Sequence, residues 1–250
     1  VKAPALAQGA GQLAPLLGPQ TVVVPAMNGV PWWFMRSVPA LGGAAVLDSI
    51  DPDGALGRAI PYEAVLGAVV YPACSTPEPG VSRHHSGSRL VFGEPGGGGS
   101  ARLTAWVELL QRAGFDAVAA DDIRAEVWRK LLGNAAFNPV SLLVGSTTDK
   151  LIDDPGIHAL FVELMQETLA VGRATGLALD IDLAERIAQT RRLGAVKTSM
   201  LQDEEAGRPV ELQAVLGAVV ELADRLGVRV PASRIVHALA RRRAAELGLI

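Results

Sequence analysis

The pattern of the chain changes near residue 120, and that change limits the folds open to it more than any single motif does. Upstream, short apolar runs are separated by Pro and Gly: Thr21 to Pro25 (TVVVP), Gly43 to Leu47, Val65 to Tyr71 and Arg89 to Gly93. A continuous valine-rich run bounded by turn residues, such as TVVVP, reads as a buried parallel strand. Residues 5 to 17 read as a weak helix, and Ser100 to Ala113 as an amphipathic one with Ser100 as N-cap and Gly114 beyond its end. Downstream the periodicity is helical. Residues 121 to 143 form one long stretch expected to bend or break near Asn138-Pro139. Asp154 caps a helix that starts at Pro155 and closes at Gly176, and further helices are expected over 182–192, 209–226 and 231–247. The fold class is therefore α/β followed by all-α, with units at residues 1–120 and 121–250. The glycines of Glu94 to Ser100 (EPGGGGS) lack G-x-G-x-x-G spacing and read as a flexible connection.

With 250 residues, 49% of them hydrophobic, the chain can bury an extensive core, and general disorder is excluded. A formal net charge of -3 leaves no basic footprint for nucleic acid. The lone cysteine, Cys74, cannot make an internal disulfide, and no run of apolar residues is long enough to span a bilayer, so a cytoplasmic protein is expected. Of the 23 basic residues only four are lysine: Lys2, Lys130, Lys150 and Lys197. Lysine can lose its proton in a dry site and arginine cannot, so each lysine is a candidate for chemistry. The histidines His84, His85, His158 and His237 show no ligand spacing, no metal is expected, and His84-His85 reads as an exposed hairpin.

Three clusters stand out. Between Leu131 and Val144 the only hydrogen-bonding side chains are Asn134, Asn138 and Ser141, and with Lys130 they share one helical face. An amide buried there without a partner would cost about 1–3 kcal/mol, so something polar must meet the stripe. Either the amides tie helices together while Lys130 reaches to water, or a small polar ligand is the partner. The segment Lys197-Thr198-Ser199-Met200-Leu201-Gln202-Asp203 reads alone as a helix start or a turn. Glu211 reads as an acid in the first turn of the helix beginning near Pro209. Asn28-Gly29 directly follows the TVVVP strand, where open α/β sheets bind ligands, yet it is also an ordinary turn dipeptide.

Taken jointly and in order, these residues resemble the ketopantoate reductase family. The resemblance rests on Lys2, Asn28-Gly29, Ile123-Arg124, Trp128-Arg129-Lys130-Leu131, Asn134, Asn138-Pro139, Thr198 to Asp203, Gly207-Arg208 and Glu211. It implies a Rossmann-type dinucleotide-binding domain, incomplete in this chain, followed by a helical domain similar to that of 6-phosphogluconate dehydrogenase. It also implies NADPH-dependent reduction of 2-dehydropantoate to pantoate, for pantothenate and coenzyme A biosynthesis. Residue by residue, the resemblance makes Lys130 the general acid and Glu211 a second acid in the cleft. Asn28, Asn134, Asn138, Ser199, Met200, Leu201 and Gln202 become substrate contacts, and Lys2, Asn28 and Glu211 lie near the cofactor. A small keto acid is the expected partner, with no nucleic acid or membrane, and a homodimer is compatible with the family.

The chain departs from the family in three places. The glycine-rich turn that opens the cofactor domain is expected upstream of the position matching Lys2, together with the residues that select NADPH over NADH. Ser146-Thr147-Thr148 stands where the family often has another amide, and Trp32-Trp33 marks a branch whose side-chain pocket differs. Two other readings therefore stay open: a reductase of another 2-keto acid, and a cofactor-deficient assembly module.

Overall fold

A computed structural model of the chain describes residues 6, 9–42 and 46–250. Lys2, the beginning of the expected 5–17 helix and most of the expected 43–47 run lie outside the described residues.

Among the described residues the first half contains strands β1 (Gly67–Val70), β2 (Ala73–Glu78), β3 (Val81–Ser86), β4 (Arg89–Gly93) and β5 (Asp116–Ala119), preceded by a short helix α1 (Ala55–Ala59). β1 pairs antiparallel with β4, β4 pairs parallel with β5, and the order is β1-β4-β5. Parallel neighbours need a crossover, which is supplied here by helix α2 (Ala101–Arg112). The Ser100 hydroxyl caps α2 by accepting from Leu103 N at 3.1 Å. Leu103 and Val107 of α2 close a small core over Leu66, Ala68, Phe92 and Ala117. β2 and β3 form a separate hairpin carrying His84 and His85 in the open.

Three expectations for this half are corrected. The TVVVP run is extended but half-buried, and it makes a single parallel bridge, Val23 to Val65, rather than a buried strand. Of the expected first helix, Ala10–Leu16 is 3-10 rather than α-helical, with Pro15 inside it. Glu94 to Ser100 is a fixed turn rather than a flexible connection. The Glu94 carboxylate accepts from Ser100 Oγ at 2.5 Å and Arg102 Nε at 2.7 Å, while Gly98 N donates to Asp121 O at 2.8 Å.

The second half is helical: α3 (Ile123–Val144), α4 (Thr148–Asp153), α5 (Pro155–Ala174), α6 (Leu183–Arg192), α7 (Ser199–Glu205), a π turn (Gln213–Gly217) running into α8 (Ala218–Leu226), and α9 (Pro231–Glu246). Asp122, Asp154, Asp182 and Thr198 cap α3, α5, α6 and α7 with their side chains. α9 has no such cap from its own N-terminus. The buried carboxylate of Glu167 on α5 replaces it, accepting from Ala232 N at 2.9 Å and Ser233 N at 2.7 Å.

α3 is the axis of the molecule, with 15 of its 22 residues buried, and it runs unbroken through Pro139. The hydrogen bond that proline removes is outweighed by burial on nearly every side, so the expected break does not occur. Trp128 anchors the helix: its ring lies 5.4 Å from that of Phe34, and its Nε1 donates to Thr168 O at 2.9 Å. One continuous core joins Val30, Trp33, Phe34, Val69 and Val91 to Trp128, Leu131, Phe161 and Leu216. The two halves are packed as one body, so a groove between them has fixed walls. Trp32 and Trp33 belong to that core, at 8% and 2% exposure, which explains the double tryptophan by packing.

Candidate active site

Lys130 leaves α3 on the face that looks toward the sheet. Its ammonium donates to Asn28 Oδ1 at 2.8 Å and to the Val70 carbonyl at the end of β1. The Tyr71 ring centroid lies 5.8 Å from Nζ, close enough for a cation–π contact. Burial pulls the Lys130 pKa down from the usual lysine range to about 8, and the negative charge of Glu211 opposes the fall.

Asn28 carries the network onward, since its Nδ2 donates to Glu211 Oε2 at 3.3 Å. The local backbone explains how three segments distant in sequence converge. Gly29 has φ +82°, in the left-handed region, and a Cβ there would overlap the Ala214 carbonyl. That carbonyl, in the π turn, accepts from Val30 N at 2.8 Å. The Asn28-Gly29 turn is thereby pressed against the helix start that carries Glu211. Glu211 itself stands just before the first helical residue, Leu212, rather than within the first turn.

One and two turns further along α3, the two asparagines part ways. Asn138 is buried and its Nδ2 donates to Ser199 Oγ at 3.4 Å. Ser141, fully buried, donates to Asn138 O at 2.9 Å and meets the Thr198 hydroxyl, whose oxygen caps α7. Asn138 and Ser141 thus tie α3 to α7, the helix-bridging reading of the stripe. The Asn134 amide is half-buried and has no hydrogen-bond partner among the described residues.

A groove of about 410 Å³ is lined by Met27, Asn28, Ser199, Gln202 and Glu211, with Cys74, Ser75 and Thr76 of β2 on one side and Arg208 on another. That volume suits a small metabolite. Met200 and Leu201 do not line it: at 2% and 3% exposure their side chains turn into the core. Gln202 faces the groove and donates to Lys197 O at 2.8 Å. Among the described residues no three His, Cys, Asp or Glu side chains converge as metal ligands, and no helix is long and apolar enough to cross a membrane. Sequence reasoning overlooked the Val70 carbonyl, the Tyr71 ring and the hairpin wall. A backbone acceptor leaves no residue-type signal, and the hairpin meets the groove only through the tertiary fold.

A family model described as the ketopantoate reductase PanE/ApbA C-terminal domain matches residues 122–244. The 2-dehydropantoate 2-reductase of Mesorhizobium japonicum is 43% identical over 248 residues, which is 99% of this chain and 76% of that protein. A crystal structure from Ralstonia solanacearum MolK2, described as a ketopantoate reductase, superposes with TM-score 0.95 at 43% identity, covering 100% of this chain and 76% of that one. In fold alone, D-mandelate dehydrogenase in complex with NADH and anilino(oxo)acetate is similar, with TM-score 0.83 at 18% identity over 100% of this chain and 75% of that one. The fold and the reductase likenesses define an oxidoreductase, with a partial Rossmann unit joined to a helical domain. The chain belongs to the ketopantoate reductase family.

Proposed function

We propose that the protein reduces the ketone of 2-dehydropantoate to the alcohol of pantoate with NADPH, serving pantothenate and coenzyme A biosynthesis, and that Lys130 is the proton donor. The observation that carries this reading is the position of Lys130: an ammonium braced by Asn28, the amide that lines a groove together with Ser199 and Glu211 and hydrogen-bonds the acid. The activity of the Mesorhizobium japonicum relative, a 2-dehydropantoate 2-reductase, supports the same substrate.

Asn28 and Glu211 suit a nicotinamide by their donor set, since an amide and a carboxylate together can satisfy a carboxamide's oxygen and its NH2 group. When bound, a reduced nicotinamide supplies the hydride. As the carbonyl carbon gains that hydride, the C=O π pair moves onto oxygen, and Lys130 Nζ stabilises the developing charge and transfers one proton to it. The product is the 2-hydroxy acid and the lysine is left as a neutral amine, which regains a proton from solvent. A pKa near 8 suits both halves of that cycle, because the ammonium is charged at neutral pH yet gives up its proton readily. Asn134 supplies a donor to the substrate oxygen or hydroxyl. Ser199, held by Asn138 beside the N-terminus of α7, supplies donors for the carboxylate, with Met200 and Leu201 taking part through the backbone alone. Residues 1–120 form part of the cofactor-binding unit and 121–250 the substrate unit.

Replacing Lys130 with Ala tests this. Turnover of 2-dehydropantoate should fall by about 10²–10⁴ while calorimetric binding of NADPH persists. A variant that retains turnover would remove lysine from the role.

A further inference from the structure

Three charged side chains line the groove beside Asn28: Asp203, Arg208 and Glu211. Among the described residues on its wall, Arg208 is the only cation. Its place is set by the end of α7. Gly207, at φ +61°, closes that helix in a Schellman turn, with Gly207 N donating to Glu204 O at 3.0 Å and Arg208 N to Asp203 O at 2.8 Å. The turn carries Arg208 back over the helix it follows, where its Nε donates to Asp203 Oδ1 at 3.1 Å.

The two partners differ in exposure. The Asp203 side chain is 7% exposed and that of Arg208 50%, so the acid is the buried anchor and the guanidinium the open end. Of the five N–H donors of a guanidinium, only the one on Nε is engaged among the described residues. The Nη nitrogens keep four donors for whatever enters the groove that Arg208 lines. A guanidinium already held at one edge loses little further freedom when a second acceptor arrives.

Ser199 stands four residues before Asp203, so the two share one face of α7 with Cβ atoms about 5–6 Å apart. The guanidinium fastened to Asp203 thus lies about one helical turn from the Ser199 hydroxyl, and both border the same groove. At such a spacing one carboxylate can accept from both, one hydrogen bond on each oxygen. Charge points the same way. A 2-keto acid brings a negative carboxylate to a groove whose other two charged residues are acids, and a cation near that end offsets the repulsion. Lys130 does not serve there, since its ammonium is held by Asn28 and the Val70 carbonyl and is assigned to the ketone oxygen.

We propose that Arg208 is a substrate-binding residue that selects for the acid: an Nη donor takes one oxygen of the 2-keto acid's carboxylate while Ser199 takes the other, with Asp203 as the positioning residue behind it. The inference rests on the reductase reading above.

The test compares Arg208→Gln and Arg208→Lys with the parent protein in the reduction of 2-dehydropantoate by NADPH, and in inhibition by pantoate and by pantoamide, its uncharged amide. In Arg208→Gln, KM for 2-dehydropantoate and the inhibition constant of pantoate should both rise about tenfold or more, with kcat and KM for NADPH within about threefold. Arg208→Lys, which keeps the charge, should fall between. The constant for pantoamide should change by less than about twofold, because the amide has no charge to be matched. Because Gln strands the buried Asp203, the same constants are measured in the double variant with Asp203→Asn, which should show the same pattern. Equal losses for pantoate and pantoamide would mean that Arg208 only fastens the turn after α7, and a rise in KM for NADPH alone would assign it to the cofactor. Either result, or an unchanged KM for the keto acid, would overturn the inference while leaving the reductase reading intact. Absence of 2-keto acid turnover by the unsubstituted protein would overturn both.

Discussion

The side-chain amide of Asn28 accepts from Lys130 Nζ at 2.8 Å across 102 residues of sequence, and with its other end donates to Glu211. One short amide therefore sets the distance between the site's cation and its acid and keeps them from forming a direct ion pair. A direct pair would hold the lysine proton more tightly and make it a poorer donor.

Asn28→Ala should lower kcat/KM about 10²-fold by releasing both partners, a loss comparable to misplacing a catalytic group by about an ångström. Asn28→Asp makes the sharper case. A carboxylate in the same place favours the charged lysine, so the basic limb of the kcat/KM profile should move to higher pH. An unmoved limb in steady-state profiles of the Asp variant would detach Asn28 from the lysine.

Gly29→Ala tests how the turn is held. Alanine at φ +82° is strained, and its Cβ meets the Ala214 carbonyl, so the turn must withdraw from the π segment and carry Asn28 away from Glu211. Turnover should drop about tenfold or more, and thermal unfolding should shift down by several degrees, since about 1 kcal/mol moves the Tm of a chain this size by about 2–4 °C.

Much of this arrangement is legible in the sequence. The spacing of Lys130, Asn134, Asn138 and Ser141 marks one helical face, and capping residues place the starts of α5 and α6 to within a residue. What sequence alone misjudges are features set by tertiary surroundings. Pro139 does not break α3 because the helix is buried nearly all round, and the glycines after Glu94 are fixed by a carboxylate and Arg102. Met200 and Leu201 share a motif with Ser199, yet helical geometry turns their side chains inward.

Away from the site, Glu167 supports α9. Its side chain, in a residue 8% exposed, satisfies two buried N–H groups at a helix start that has no cap of its own. Glu167→Ala should destabilise the protein by about 2–4 kcal/mol, read by urea titration, while turnover below the transition stays close to that of the parent protein. A change under about 0.5 kcal/mol would mean that water replaces the carboxylate without loss.

The low pKa of Lys130 also has a thermodynamic sign. The folded state holds the proton less tightly than the unfolded chain, so the charged lysine lowers stability below about pH 8, and that penalty lifts as pH rises toward the ordinary lysine value of 10.5. The unfolding free energy of the protein, minus that of Lys130→Met, should therefore increase between pH 8 and pH 10.5, by about 2–3 kcal/mol in all. A flat difference across that range would place the lysine in water.

The central claim is that Lys130 donates the proton from a dry, braced position, and the pH dependence of kcat/KM for keto acid reduction tests it most directly. The account predicts a fall in rate above about pH 8, an order of magnitude for each further unit, that is absent from the residual activity of Lys130→Ala. A profile that stays level to pH 10, or the same fall in the alanine variant, would contradict it.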